Sequence, residues 1–542
     1  MRALLGLAAL LSLSVPALAQ PAAPARPRLV VVIAVDQMRG DYVDRYQHQW
    51  SGGLKRLVSE GAWFRQADYP YFSTVTCAGH ASIATGAPPA VHGMVQNQWV
   101  DPGATRLTRC TDDATKPLVP YGRPIKGLGQ SADRLATTTY ADELRLQGPS
   151  APRVVSISLK ARSAITLGGH HPDAVIWQDE DTGEWTTSTA FATGPAPYFA
   201  AYIAAHDIRR EVGRTWERAL PRDRYLYDVS PIPPRGVSER NRTFPHTVEG
   251  HADGLDKEFT DSWEASPFSD AYLAGLAAAA LDALKLGRGA GTDYLAVSFS
   301  ALDKVGHDFG PESHEVQDVL VRLDRELATL IDKLDRDVGR DRYVLALSAD
   351  HGVSPVPEQV EARGYDGGRI SQRAVSGAID ATLARVIGPM PGRTIVNNAD
   401  IYLPAGAYVK LSADRDAMAQ VLQTVRDTPG VLRVYTRDEV SAGAGSIDRL
   451  RRAAALSQFP GRSGDLFMMP KAYWTTSVDT TSHGTAHRYD THVPVVLFGA
   501  GIAPGQYMQP VSPLDIAPTI AFLTGVLLPD ATGRVLTEAL AR

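Results

Sequence analysis

The sequence predicts an α/β fold, with a mostly parallel central sheet, helices on both of its faces, and two insertions forming a cap beside the active face. Three observations predict it. Continuous apolar, β-branched runs such as Leu29–Val35 and residues 343–347 suit strands buried on both sides. Segments of helical spacing fall between such runs, the clearest over His314–Asp337, where Val316, Val319, Leu320, Leu323, Leu327, Leu330, Ile331 and Leu334 form one stripe. This alternation argues for a parallel sheet covered by helices. Finally, three of the apolar runs end in acids: Asp36, then Asp303 shortly after residues 294–300, then Asp350-His351-Gly352. Ligands of such sheets gather at the carboxyl ends of the strands.

In chain order, residues 1–19 carry Arg2, an apolar Leu/Ala run and Ala17-Leu18-Ala19, the pattern of a secretory signal, and 20–27 form a Pro/Ala-rich leader. No later stretch reaches about 18 apolar residues, so no membrane span is expected. The expected location is therefore periplasmic or secreted. The strand Leu29–Val35 opens a catalytic domain over 28–542, and a helix is expected over 78–84. A helix over Tyr140–Gln147 precedes the strand Val154–Ser158, which Lys160 and Arg162 follow. Residues 172–267, rich in Trp, Arg, Pro and Asp with little periodicity, read as a first insertion over the sheet. A helix over 269–286 leads to the strand at 294–300, and His314–Asp337 to the strand at 343–347. Residues 358–476 hold elements of their own and read as a second insertion, a small lobe. The strand at 492–498 returns to the sheet, and 514–523 reads as a closing helix with a proline in its middle.

At 542 residues the chain can bury a large core, and its composition (44% hydrophobic, 21% charged, net charge −5) is that of an ordinary globular protein. No basic excess argues for a nucleic acid partner. A monomer or an unknown oligomer is expected. In an exported chain the lone pair Cys77 and Cys110 reads as a disulfide, with Cys77 as a catalytic thiol the competing reading.

The stretch Phe72-Ser-Thr-Val-Thr76-Cys-Ala-Gly-His80 puts the Thr76 hydroxyl at the start of a helix. Unpaired backbone N–H groups and the positive end of the dipole there can bring an anion to an oxygen nucleophile. A neutral threonine must first lose its proton, and a bound cation is one means. On these residues alone, simple capping of the helix remains open. The candidate metal ligands are Asp36, Asp303, His307, Asp350, His351 and His483. Asp303 and His307 stand one helical turn apart, about 6 Å on one face. Asp350 and His351 are adjacent and would point opposite ways from an extended chain. An Asp/His set without Cys suits zinc with an open coordination position. Two such ions about 4 Å apart divide the labour of phosphoryl transfer. Gly306 and Gly352 beside these ligands allow close backbone approach.

Val-Asp36, Thr-Val-Thr76-Cys-Ala-Gly-His, His92-Gly-Met-Val-Gln-Asn97, Asp303-Lys-Val-Gly-His307, Ala-Asp350-His351-Gly and Ser-His483-Gly together resemble the alkaline phosphatase superfamily, in order and over nearly the whole chain. The resemblance implies two Zn²⁺ ions, one held by Asp303, His307 and His483, the other by Asp36, Asp350, His351 and the Thr76 oxygen. It makes Thr76 the nucleophile of a covalent phosphothreonine intermediate. For the last ligand, His487 competes with His483, which is preferred because the superfamily's late ligand precedes a glycine.

The superfamily also cleaves diesters and sulfate esters. Lys160 and Arg162, two apart in an extended stretch, would reach the same side and complement the two charges of a phosphate monoester. Asn97 can donate to a non-bridging oxygen. Thr76, Asn97, Lys160 and Arg162 together resemble the bacterial phosphate-irrepressible type of phosphomonoesterase, which implies a broad-specificity alkaline phosphatase acting on small phosphate monoesters. A nucleotide pyrophosphatase/phosphodiesterase on the same scaffold is the nearer alternative, and a non-enzymatic exported phosphate- or metal-binding protein the other. Sulfatases are disfavoured, because Cys77-Ala-Gly-His lacks the Pro and Arg of their modification motif.

Overall fold

The computed structural model describes residues 26–541, apart from 149, 229, 231 and 252–254. The signal expected over 1–19 and most of the leader lie outside the described residues. Ten strands form the central sheet: β1 (Leu29–Val35), β2 (Ala62–Ala67), β3 (Leu118–Pro120), β4 (Val154–Ser158), β5 (Ala174–Gln178), β6 (Trp185–Ser188), β7 (Asp293–Phe299), β8 (Tyr343–Ser348), β9 (Val495–Gly499) and β10 (Gly505–Val511). Their spatial order is β10-β2-β9-β8-β1-β7-β4-β5-β6-β3. The middle five, β8 to β5, pair in parallel; β9 and β6 run against their neighbours.

Burial explains why β1 is apolar throughout. Leu29, Val31, Ile33 and Val35 pack into one hydrophobic cluster, while Val30, Val32 and Ala34 pack into another on the opposite face. With period-2 side chains, a strand covered on both faces has no position left for a polar residue. Helices α3 (Pro267–Leu284) and α5 (His314–Asp337) cover the first face; α1 (Thr76–Thr85) and α6 (Ile516–Thr524) contribute to the second. Two shorter helices, α2 (Ala161–Gly168) and α4 (Ala301–Phe309), follow β4 and β7 directly. Among the described residues no helix is long and apolar enough to cross a membrane.

Register sets the site. Ala34 of β1 lies level with Ser298 of β7 and Ser348 of β8, and Ser298 with Ser158 of β4. Four parallel strands therefore end flush, and the residues that follow them, Asp36, Asp303, Asp350 and Lys160, open onto one edge.

Three expectations need correction. Residues 172–267 do not begin as an insertion: β5 and β6 belong to the central sheet. Trp185-Thr-Thr-Ser188 shows no apolar run because it lies near the antiparallel margin of the sheet, although all four residues are buried. The proline of the closing helix is Pro518, third residue of α6 rather than its middle, where its missing N–H would have had no helical partner. The segment carrying Lys160 and Arg162 is not extended, since the chain turns into α2 immediately after Lys160.

The stretch 358–476 holds a four-stranded antiparallel sheet, built from Ile395–Asn397, Asp400–Tyr402, Leu466–Pro470 and Val431–Thr436. With the helices Gln372–Val386 and Arg415–Arg426 it packs a hydrophobic cluster of its own.

Candidate active site

At the flush strand ends, three groups of side chains could each hold a metal ion: Asp303 with His307 and His483, Asp36 with Asp303 and His351, and Asp36 with His80 and Asp350, the ligand atoms in each lying within 4.8 Å of one another. Helix α4 turns Asp303 and His307 to the same side, with His307 Nε2 3.3 Å from Asp303 Oδ1. His483 Nε2 lies 3.9 Å from the same oxygen. His351 Nε2 is 3.5 Å from Asp36 Oδ1 and 3.1 Å from Asp350 Oδ2.

Each imidazole is oriented by a backbone carbonyl. Nδ1 of His307 donates to Thr481 O (2.9 Å), that of His351 to Gly352 O (3.0 Å), and that of His483 to Thr74 O (2.8 Å). A carbonyl only accepts, so the ring proton sits on Nδ1 and the Nε2 lone pair faces the cluster, the arrangement a metal-binding histidine needs. His487 instead directs Nε2 to Pro470 O, 3.1 Å away. His80 has both ring nitrogens engaged, Nδ1 with Thr76 O (2.9 Å) and Nε2 with Ser298 Oγ (2.8 Å), which makes it a brace for the first turn of α1 rather than a ligand.

The electrostatics ask for a cation. Asp36 and Asp350 are fully buried and Asp303 nearly so. Burial, together with the neighbouring Asp303 and Asp350, pushes Asp36 up to about 6. Burial works against ionisation of Asp303 as well, but Lys160 beside it holds that carboxyl well below the ordinary carboxylate range. Asp36 Oδ1, Asp350 Oδ2 and His351 Nε2 are buried without any hydrogen-bond partner. Orphaned buried acceptors on one shared pocket are costly unless a cation satisfies them. The donor set, carboxylate oxygens and imidazole nitrogens without thiolate, fits zinc.

Thr76 is buried as the first residue of α1. Gly79 lets that turn press on β8's end: a Cβ there would fall 2.2 Å from Asp350 O. Cys77 and Cys110 form a disulfide, and the Cys77 N–H donates to Asn97 Oδ1 (2.9 Å), so the Asn97 amide nitrogen is the group left for another acceptor. Lys160 Nζ bridges Asp36 Oδ2 (2.6 Å) and Asp303 Oδ2 (2.5 Å). Arg162, the second residue of α2, pairs with Glu180 at 2.8 Å. Lys160 thus enters the carboxylate cluster, while Arg162 stands beside it.

Two contributors escaped the sequence reading. Gln37 donates Nε2 to Asp303 Oδ1 (2.7 Å), and its backbone N–H to Asp350 Oδ1 (3.1 Å). It stands at φ 68°, a strained conformation for a residue with a side chain. A Cβ on Gly306 would meet its amide oxygen at 1.8 Å. The other is His80, whose place inside the helix motif was visible but whose brace to Thr76 was not.

With that geometry in view, the likenesses are informative. The family described as type I phosphodiesterase/nucleotide pyrophosphatase matches residues 30–492. Alkaline phosphatase PhoV of Synechococcus elongatus is 32% identical over 96% of this chain and 94% of its own. The chain belongs to the alkaline phosphatase superfamily. Within that superfamily, alkaline phosphatase PafA of Elizabethkingia meningoseptica is 32% identical over 95% of both chains. A crystal structure of PafA altered at a threonine, an asparagine, a lysine and an arginine superposes with a TM-score of 0.86 at 29% identity, covering 96% of this chain and 100% of that one. The superfamily member described here thus shares the PafA fold.

Proposed function

We propose that this protein is an exported, zinc-dependent alkaline phosphatase that hydrolyses small phosphate monoesters of many kinds through a phosphothreonine intermediate on Thr76. The coarser statement, a phosphoric monoester hydrolase, follows from the kinship with named alkaline phosphatases. One observation carries the finer reading: six Asp and His side chains from distant segments, with orphaned ligand atoms among them, converge where α1 begins with Thr76. The four residue types altered together in the PafA mutant occur here in the same order and at nearly the same spacing as Thr76, Asn97, Lys160 and Arg162.

Asp303, His307 and His483 would hold one zinc ion, and Asp36, Asp350 and His351 the other. Bound zinc supplies Lewis-acid stabilisation of the oxygens that gain charge as the ester bond breaks. The chain's own groups do the rest. The N-terminal turn of α1, whose Cys77 N–H is given to Asn97, would direct its remaining N–H groups at the phosphoryl group. The Thr76 oxygen attacks phosphorus, the bond to the ester oxygen breaks, and the alcohol leaves with a proton. Water then cleaves the phosphothreonine, returning Thr76 and inorganic phosphate. Asn97, with its carbonyl pinned by Cys77, offers its amide nitrogen to a non-bridging oxygen. Lys160 and Arg162 complement a dianion better than the monoanion of a diester.

The test compares an aryl phosphate with a methyl aryl phosphate in the wild type, Thr76→Ala, Lys160→Ala and Arg162→Ala. Thr76→Ala should abolish turnover on both while zinc content stays intact. The two cation variants should lose monoester activity in preference. Equal losses on both substrates would remove the specificity argument, and full activity in excess chelator would remove the metals.

A further inference from the structure

We propose that Glu180 is a positioning residue for Arg162: its carboxylate fastens one end of the guanidinium and leaves the opposite edge unpaired for the phosphoryl oxygens, so that it sets the preference for monoesters. This rests on Arg162 being a substrate contact.

A guanidinium offers five N–H donors in a planar fork. In Arg162, Nη1 donates to Glu180 Oε1 at 2.8 Å. Its Nε is buried without a partner, and no hydrogen bond engages Nη2 among the described residues. Nε and Nη2 share one edge, the edge whose spacing matches two oxygens of a phosphate. The anchor thus occupies the donor that the phosphate does not need. Arg162 and Glu180 line a cavity of about 420 Å³ together with Asn97, Arg109, Gln130 and Trp177, which places the pair beside the other expected phosphate contact.

Glu180 is not a loose surface acid. It sits in the turn joining β5 to β6, a turn closed by Asp179 N to Glu184 O and Gly183 N to Asp179 O, both 2.8 Å. Asp179 Oδ1 also accepts from Thr182 N (3.0 Å) and Thr182 Oγ1 (2.7 Å), and Gln178 Nε2 donates to Gly183 O (2.8 Å). An anchor on a stiff hairpin of the central sheet holds a long side chain in one place. Arg162, with Lys304 and Arg109 beyond it, keeps the Glu180 carboxyl ionised, down to about 2. The side chain of Glu180 is 37% exposed and that of Arg162 23%. A pair this open adds little to stability, so its loss should be felt in substrate handling. A displacement of about 1 Å at a positioning group can cost about a hundredfold in rate.

The experiment measures kcat and KM for the aryl phosphate and the methyl aryl phosphate, and Ki for inorganic phosphate, in Glu180→Ala, Glu180→Gln, Arg162→Ala and the double variant Glu180→Ala/Arg162→Ala, with melting temperature as the folding control. Glu180→Ala should lower monoester kcat/KM and raise the phosphate Ki, each about tenfold, with the diester within about threefold. Glu180→Gln, whose amide oxygen still accepts from Nη1, should recover most of the loss. In the Arg162→Ala background, removing Glu180 should cost less than about twofold more. The same loss in both backgrounds, or on both substrates, overturns the proposal while leaving Arg162 as a contact. If Arg162→Ala spares the monoester, the assignment of Arg162 falls too.

Discussion

Gln37 supports the candidate site without belonging to its charged set. Its amide donates to Asp303 Oδ1 (2.7 Å), and its left-handed backbone aims its N–H at Asp350 Oδ1 (3.1 Å), so one residue steers a carboxylate of each proposed zinc site. Groups that orient metal ligands typically govern affinity by about 10–100-fold. Gln37→Ala should therefore weaken zinc binding by that order in a chelator-competition titration, and unchanged affinity would exclude this support. The six acids and imidazoles were readable individually because each lies in a short motif, five of them in segments that directly follow a strand of the central sheet. Gln37 was not, because a glutamine after an acid carries no signal until a helix 266 residues away brings Asp303 to it.

Among the elements, α1 and the turn after it form a unit around a buried histidine. His92 Nδ1 accepts from Met94 N (3.1 Å), Nε2 donates to Ser82 Oγ (3.0 Å), and Ser82 donates to Tyr71 OH (3.0 Å). Burial pushes His92 down to about 3 from an ordinary value near 6.5. Below pH 6.5 the unfolded chain takes up a proton that the folded chain refuses. This group's stabilisation is thus complete above about pH 6.5 and is lost as pH falls toward 3, at up to about 1.4 kcal/mol per pH unit. Urea midpoints measured from pH 4 to 7 should show a slope that shrinks by about one proton in His92→Asn, whose carbonyl can still accept from Met94; an undiminished slope would place the acid sensitivity elsewhere. The hairpin β5–β6 shows the reverse lesson. Its polar strand gave no periodic signal, yet it extends the central sheet and carries Glu180.

For the molecule as a whole, three carboxylates lie buried at one edge of a ten-stranded sheet. Ions bound there only in the folded state stabilise it by mass action, about 4 kcal/mol per site at about 1,000 times Kd. Excess chelator should lower the melting temperature by several degrees, and zinc should restore it, independently of any assay of turnover. A melting temperature indifferent to both would argue against metals in this pocket. The stretch 358–476, expected as a small lobe because its elements interrupt the strand–helix alternation of the main sheet, holds a four-stranded sheet and a hydrophobic cluster of its own.

By itself the sequence determined what depends on local pattern: both-face burial of β1, β7 and β8, the stripe of α5, and the acids and histidines at strand ends, since apolar periodicity and turn chemistry are properties of neighbouring residues. Only the tertiary structure decided which side chains meet. The flush register of β1, β4, β7 and β8 brings Asp36, Lys160, Asp303 and Asp350 to one edge, and chain return from a distant lobe sets His483, not His487, beside Asp303. Those are long-range alignments, settled by how strands pair and not by what stands next in the chain.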